Sequence, residues 1–149
     1  MAEYSANAIQ TVDPGEDIVF TTTVEPCMTG LVRHRDDSGN FLLSGLSQRR
    51  CCRRNASYSV DFGANIAIPT GETVGPISVS YTIDGSVVPA TEMIVTPDAV
   101  EEYFNVSRSA NLDIWRGCCE TVTVRNTSSI PILVQNANIV IERSDLTMF

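Results

Sequence analysis

Residues 57–68 read Ser57-Tyr58-Ser59-Val60-Asp61-Phe62-Gly63-Ala64-Asn65-Ile66-Ala67-Ile68. Apolar side chains occupy every even position of this stretch, and small or polar side chains occupy the odd positions. Because successive side chains of a strand point to opposite faces, this period of two predicts a strand with one buried face. The pattern recurs in strand-length pieces to the end of the chain, so the sequence predicts an all-β fold.

Turn residues divide the chain into about ten predicted strands. Clusters of Pro, Gly, Asp, Asn and Ser recur at intervals typical of β-sandwiches. The predicted strands are residues 6–12, 18–24, 31–35, 41–45, 56–68, 77–83, 87–95, 106–115, 120–125 and 132–142. Asp84-Gly85 predicts a two-residue hairpin turn, because such a turn requires positive φ angles and Asp-Gly accepts them. Residues 97–104 also fit a short helical turn capped by Asp98.

The last predicted strand carries apolar residues on both faces: Ile132, Leu133, Val134, Ile139, Val140 and Ile141. A strand that is apolar on both faces is covered on both. This strand is therefore predicted either at the centre of the sandwich or at a subunit interface.

Length and composition predict one soluble domain. The 149 residues contain no internal repeat, and 43% of them are hydrophobic, which suits a single core. We expect one domain over residues 1–149, with short arms at residues 1–5 and 144–149. The chain lacks an apolar run of roughly 18 residues and a secretory signal, so we expect no membrane partner and synthesis in a cytoplasm.

The charge balance argues against nucleic-acid binding. Ten arginines and no lysine stand against eighteen acidic residues, for a net charge of -8, whereas nucleic-acid binding relies on neutralising phosphates. Four arginines cluster at Arg49, Arg50, Arg53 and Arg54. A solvated turn or a charged edge strand is the favoured interpretation of this cluster. A contact with an acidic protein surface, such as another copy of this chain, and a contact with a polyanion are the alternatives.

The five cysteines are Cys27, Cys51, Cys52, Cys118 and Cys119. Adjacent cysteines in a strand point to opposite faces, so the two doublets match zinc-ligand spacing poorly. A metal would need Cys27, one member of each doublet and a ligand such as His34. A disulfide between Cys27 and the first doublet is a second interpretation. Free thiols are the leading one, because cytosolic chains keep cysteines reduced.

No set of residues predicts catalysis. Nucleophilic catalysis usually needs a general base, and the single histidine, His34, lies between Arg33 and Arg35 with no nucleophile motif beside it. The acidic pairs Asp36-Asp37 and Glu101-Glu102 are interpreted as turn or surface residues. The sequence predicts no enzyme, no cofactor and no metal.

Six segments resemble a family of small proteins encoded by phages and prophages of Gram-positive gut bacteria. They are residues 5–12 (SANAIQTV), 60–71 (VDFGANIAIPTG), 73–77 (TVGPI), 93–97 (MIVTP), 116–119 (RGCC) and 134–143 (VQNANIVIER). The resemblance covers nearly the whole chain and is weakest at residues 27–54. The Cys51-Cys52 doublet departs from it, because one cysteine is expected there. The resemblance implies a jelly-roll β-sandwich of the tumour-necrosis-factor (TNF) and complement C1q type, which assembles as trimers.

The resemblance also implies a structural role at the virion surface, on the outside of the capsid. The expected function is a homotrimeric capsid decoration or head-fibre component whose partner is the phage capsid protein. The alternative is a receptor- or glycan-binding fibre-tip module. Within the trimer we expect four aromatic residues near the interfaces: Tyr81, Tyr103, Phe104 and Trp115. The expected capsid anchor consists of Tyr4 at one end of the chain and Leu146, Met148 and Phe149 at the other.

Overall fold

The computed structural model describes residues 1–45, 55–115 and 119–144. The strands in these ranges are β1 (Ala2–Ala6), β2 (Gln10–Val12), β3 (Thr22–Glu25), β4 (Val32–His34), β5 (Phe41–Ser44), β6 (Asn55–Ala67), β7 (Ile77–Ile83), β8 (Ser86–Val87), β9 (Met93–Val95), β10 (Phe104–Trp115), β11 (Cys119–Asn126) and β12 (Ile132–Arg143). A 3-10 turn at Pro89–Thr91 separates β8 from β9. Among these residues, no helix has the length and apolar character needed to cross a lipid bilayer.

The strands form two antiparallel sheets that pack face to face. The first sheet has the order β10-β6-β12-β1-β3, and β2 extends it beside β12. The second sheet has the order β4-β5-β11-β7-β8, with β9 also paired to β7. The all-β prediction is confirmed, with twelve strands among the described residues.

The buried face predicted from the alternation at residues 57–68 is confirmed, and it is the core side of β6. Tyr58, Val60 and Ile66 are fully buried between the sheets. The Tyr58 hydroxyl donates a hydrogen bond to the Ser44 carbonyl oxygen at 2.6 Å, which joins β6 to the end of β5 in the opposite sheet. Strand β6 therefore supplies both apolar filling and a polar link across the core.

Two other predicted features are also confirmed. β7 has the predicted bounds, and it is joined to β8 by the two-residue turn in which Asp84 and Gly85 have φ of 49° and 84°. β12 is central in the first sheet, since it pairs with β6 along one edge and with β1 and β2 along the other. Its core face is buried, whereas Leu133 and Val140 on its other face are half-buried.

The prediction of an N-terminal arm at residues 1–5 is wrong. Residues 2–6 form β1, which lies between β12 and β3, and Ala2 pairs with Ile141. The predicted strand at residues 6–12 is accordingly two strands with a break at residues 7–9. Alternating Ala2, Tyr4 and Ala6 are buried, but two of them are alanines, so the sequence signal for this strand is weak.

Three further predictions need correction in detail. The strand predicted at residues 18–24 is β3 (Thr22–Glu25), and the buried Phe20 outside it forms only an isolated bridge with Ser38. The strand predicted at residues 87–95 is interrupted where Pro89 begins the 3-10 turn, because proline has no N–H for a sheet. Residues 97–104 contain no helix; Glu101 has φ of 60°, and its N–H donates to the Ile68 carbonyl.

Candidate functional site

Strands β6 and β10 carry small polar side chains on the outer face of the first sheet. On β6 they are Ser57, Ser59, Asp61 and Asn65; on β10 they are Asn105, Ser107, Ser109, Asn111 and Asp113. Across the two strands, Ser57 donates to Asp113 at 2.9 Å, and Asn105 donates to Asn65 at 3.2 Å. This small-residue face is exposed on β10, and its short side chains would let a second protein surface approach closely.

Strand β10 forms the edge of that sheet. Its twelve residues pair with β6, and no other strand in the described residues pairs with its second edge. Phe104 and Trp115 stand at the two ends of the strand with 38% and 59% of their surfaces exposed. A long exposed edge strand is a template for pairing with another chain. We call this feature the β10 edge.

The four predicted interface aromatics divide into two groups. Phe104 and Trp115 lie on the β10 edge, and Tyr103 directly precedes it. The Tyr103 side chain is half-buried, and its hydroxyl makes no hydrogen bond with the described residues. The prediction for Tyr81 is wrong, because Tyr81 is fully buried on β7.

Tyr81 has a structural role inside the sandwich. Its hydroxyl donates to the carbonyl oxygen of Arg108 on β10 at 2.6 Å, which ties the two sheets together across the core. Burial raises the pKa of the phenol well above its usual range, so the hydroxyl stays protonated and remains a donor. Tyr81 alternates with Ile77 and Val79 along β7, and this period of two places all three on the core face.

Tyr4 is also part of the core and cannot act as a mobile anchor. Only 4% of its surface is exposed. Its ring lies 4.8 Å from the His34 ring and 5.0 Å from the Phe41 ring, centroid to centroid. The other predicted anchor residues, Leu146, Met148 and Phe149, lie outside the described residues.

His34 lies in the same aromatic cluster. Its ring stacks on Phe41 with centroids 4.7 Å apart, and its Nε2 is hydrogen-bonded to the Ser38 carbonyl oxygen at 2.9 Å. These contacts hold the ring on the inner side of the hairpin formed by β4 and β5. In the part of the chain that the structure describes, no three His, Cys, Asp or Glu side chains come together as a metal site.

The two described cysteines, Cys27 and Cys119, are in different oxidation states. Cys27 is a free, half-buried thiol, so the disulfide considered between Cys27 and the first doublet is not formed. Cys119 is disulfide-bonded, which corrects the free-thiol interpretation for that residue. The remaining cysteines, Cys51, Cys52 and Cys118, lie outside the described residues, as does the arginine cluster Arg49, Arg50, Arg53 and Arg54.

Hydrogen bonding stabilises the ionised form of the free thiol. Burial alone raises the pKa of Cys27, but hydrogen bonds from the Thr29 hydroxyl and from backbone N–H groups within residues 29–32 outweigh burial and lower the pKa to about 7. The Sγ atom lies 3.3 Å from the Thr29 hydroxyl oxygen. Cys27 is therefore partly thiolate at neutral pH.

The second sheet carries a groove that the sequence analysis did not predict. Its volume is about 550 Å³, and its lining includes Arg33, His34, Arg35, Asn40, Leu42 and Thr121. Residues from β4, β5 and β11 contribute to it, and Thr121 is 88 positions from Arg33 in the sequence. The only local signal was the alternation of residues 31–35, which places Arg33 and Arg35 on one face of a strand.

Comparison with known proteins identifies the fold. No protein-family model matches the chain, and no curated protein matches it by sequence. The solved globular domain of zebrafish complement 1qA superposes with a TM-score of 0.58 at 11% identity, covering 93% of this chain and 94% of that one. The Eiger TNF of S. frugiperda gives 0.67 at 10% identity, covering 95% and 90%. The chain therefore has the C1q/TNF jelly-roll fold.

Proposed function

We propose that this protein is a structural, non-enzymatic homotrimer on the outside of a phage particle, as a capsid decoration or head-fibre component. The observation that carries the assembly part is the β10 edge, which lies beside the small-residue face. The virion part is supported by the sequence resemblance of residues 60–71 and 134–143 to phage and prophage proteins.

A trimer explains how the β10 edge avoids uncontrolled association. In a threefold ring every subunit uses one surface to contact a different surface of the next subunit, and the ring closes. All three β10 edges are then covered, whereas an open edge in a monomer would favour aggregation. The fold shared with complement 1qA and Eiger TNF supports this arrangement.

The position of the polar groups supports a structural role. On the small-residue face, Ser57 bonds to Asp113 and Asn105 bonds to Asn65, so these side chains bond to one another across the sheet. Histidine is a general base in many enzymes, but the ring of His34 is packed against Phe41 and hydrogen-bonded to the backbone. These contacts support a structural role for the small-residue face and for the His34 ring.

Threefold symmetry also suits binding to an icosahedral shell. A trimer centred on a threefold or quasi-threefold axis makes three identical contacts at once. Each contact raises the effective concentration of the others, so weak single contacts give stable occupancy. Binding across several capsid subunits then stabilises the shell, because the trimer binds the assembled shell and not the separate subunits.

The first test measures the oligomeric state by sedimentation velocity at micromolar concentration. Three chains of 16.2 kDa give a particle of about 49 kDa, which we expect as the main species. A clean monomer would refute the homotrimer.

The second test measures capsid binding after deletion of residues 146–149, the predicted C-terminal anchor. We expect the deleted protein to remain trimeric and to lose co-sedimentation with capsids of a phage that carries the gene. Wild-type protein is the positive control. Unchanged occupancy on the capsids would contradict the anchor assignment.

A further inference from the structure

The groove on the second sheet has an apolar floor with polar groups at both sides. Arg33 pairs with Leu42 between β4 and β5, and Leu42 pairs with Thr121 between β5 and β11. These three side chains therefore form one row across the outer face of the sheet. Arg35 and Asn40 stand at the end of the row, where the Arg35 N–H donates to the Asn40 carbonyl oxygen at 3.2 Å.

The charge of the groove opposes that of the whole chain. The net charge is -8, yet this groove contains two exposed arginines. Arg35 makes no side-chain hydrogen bond or ion pair within the described residues. The nearby acidic residues Asp36 and Asp37 form no ion pair with either arginine, whereas Arg125 on β11 is paired with Asp17 at 3.2 Å. Two guanidinium groups of the groove are thus available to an anion.

One of these arginines is already oriented. The Arg33 guanidinium donates a hydrogen bond to Sγ of the disulfide-bonded Cys119 at 3.3 Å. A sulfur acceptor is weak, so most of the donors of Arg33 remain available to a ligand. Holding the side chain in place reduces the entropy lost when a ligand binds.

The far end of the groove is also held rigidly. The hairpin between β4 and β5 is fixed to the rest of the sandwich where the Phe20 N–H donates to the Ser38 carbonyl oxygen at 3.0 Å. Next to it, Gly39 packs directly on the backbone of Ile18. Arg35 and Asn40 flank this fixed turn, so the spacing between the two arginines is set by the fold.

We propose that this groove binds a sugar that carries a carboxylate, such as a uronic acid. A guanidinium presents a planar set of donors that matches a carboxylate with two parallel hydrogen bonds. The aliphatic side chain of Leu42 offers an apolar surface to the C–H face of a sugar ring. Asn40 and Thr121 supply hydrogen-bonding groups for ring hydroxyls. A volume of about 550 Å³ lies in the range of small-molecule sites.

This combination favours an acidic sugar over inorganic phosphate or sulfate. Those anions would bind to the arginines, but they are too small to fill the groove and have no apolar face to contact Leu42. A neutral sugar would use Leu42 and Thr121 but leave both charges unpaired. The inference does not depend on the trimer or on a virion position, because the groove lies on the sheet opposite to the small-residue face.

The test is isothermal titration calorimetry of the full chain with glucuronate, glucose, inorganic phosphate and sulfate. We expect glucuronate to bind at least about tenfold more tightly than each of the others. The Arg33→Gln and Arg35→Gln variants should each weaken glucuronate binding by about tenfold or more, since each removes a charge-assisted contact. Both residues are exposed, so both variants should fold normally.

Arg108→Gln is the matched control. Arg108 lies on β10 and donates to the Ala90 carbonyl at 2.7 Å, away from the groove, so its loss should leave glucuronate affinity unchanged. Equal affinity for glucose and glucuronate would overturn the proposal. So would tighter binding of phosphate or sulfate, absence of glucuronate binding, or an equal loss in Arg108→Gln. If the protein is a trimer that binds no glucuronate, the acidic-sugar site is refuted and the proposed structural role stands.

Discussion

Replacing Trp115 with alanine tests whether the β10 edge is the subunit contact. In a single protomer 59% of the Trp115 surface is exposed. A tryptophan presents up to about 250 Å², so about 150 Å² remains to be buried by a neighbour. At about 25 cal/mol per Å² this area contributes at most about 4 kcal/mol to each contact, and about 2 kcal/mol if half of it stays hydrated.

The expected result is a large loss of association without a loss of folding. A change of about 2 to 4 kcal/mol raises the dissociation constant of each contact by roughly 30- to 1000-fold. Sedimentation velocity over a dilution series should therefore show monomer at concentrations where the wild type is trimeric. The far-UV circular dichroism spectrum should remain unchanged, because the exposed part of the side chain does not pack in the core.

Met28→Ala provides the control for loss of an exposed apolar side chain. Met28 is 88% exposed in the loop between β3 and β4 and lies off the β10 edge. This variant should associate like the wild type. If Trp115→Ala forms trimers as tight as the wild type, Trp115 is not at the subunit contact and the area argument fails.

Three other predictions concern the core, the hairpin turn and the free thiol. Tyr81→Phe leaves the Arg108 carbonyl oxygen without its 2.6 Å donor. The free energy of unfolding should therefore fall by about 1–3 kcal/mol and Tm by several degrees, with association unchanged. An unchanged Tm would contradict the cross-sheet role. Gly39→Ala drives the new Cβ into the Ile18 carbonyl oxygen, so urea denaturation should show that the free energy of unfolding falls by about 1–3 kcal/mol. Gly75→Ala, whose Cβ meets no atom within 4 Å, should be near neutral, and equal effects would refute the steric argument. Alkylation of Cys27 by iodoacetamide, followed by peptide mass spectrometry, should reach half of its maximal rate near pH 7, because the pKa is lowered to about 7; a midpoint near pH 9 would contradict the stabilised thiolate.

Local sequence patterns predict the long strands well. The alternation of Tyr58 and Val60 with small residues predicts the strand correctly because one face of β6 is buried along the whole length of the strand. Asp84-Gly85 predicts its hairpin because few residue pairs adopt two consecutive positive φ angles. In both cases the information lies within one strand or one turn.

Features that depend on contacts between distant segments could not be predicted in this way. β1 contains small residues and is a strand because β12 lies beside it. The groove needs Arg33 and Thr121 in one row, which depends on the register of three strands. These placements follow from the tertiary structure and have no local sequence signature.

The pairing of β1 with β12 has a consequence for how the protein folds. Residues 2–6 leave the ribosome more than a hundred residues before their partners at residues 137–141. Until then β1 and β6 each lack the strand that lies between them in the finished sheet. Closing such a long loop is entropically costly, so folding should be slow and should be completed only after β12 leaves the ribosome. A fragment that ends before β12 would expose two strand edges and would be prone to aggregate.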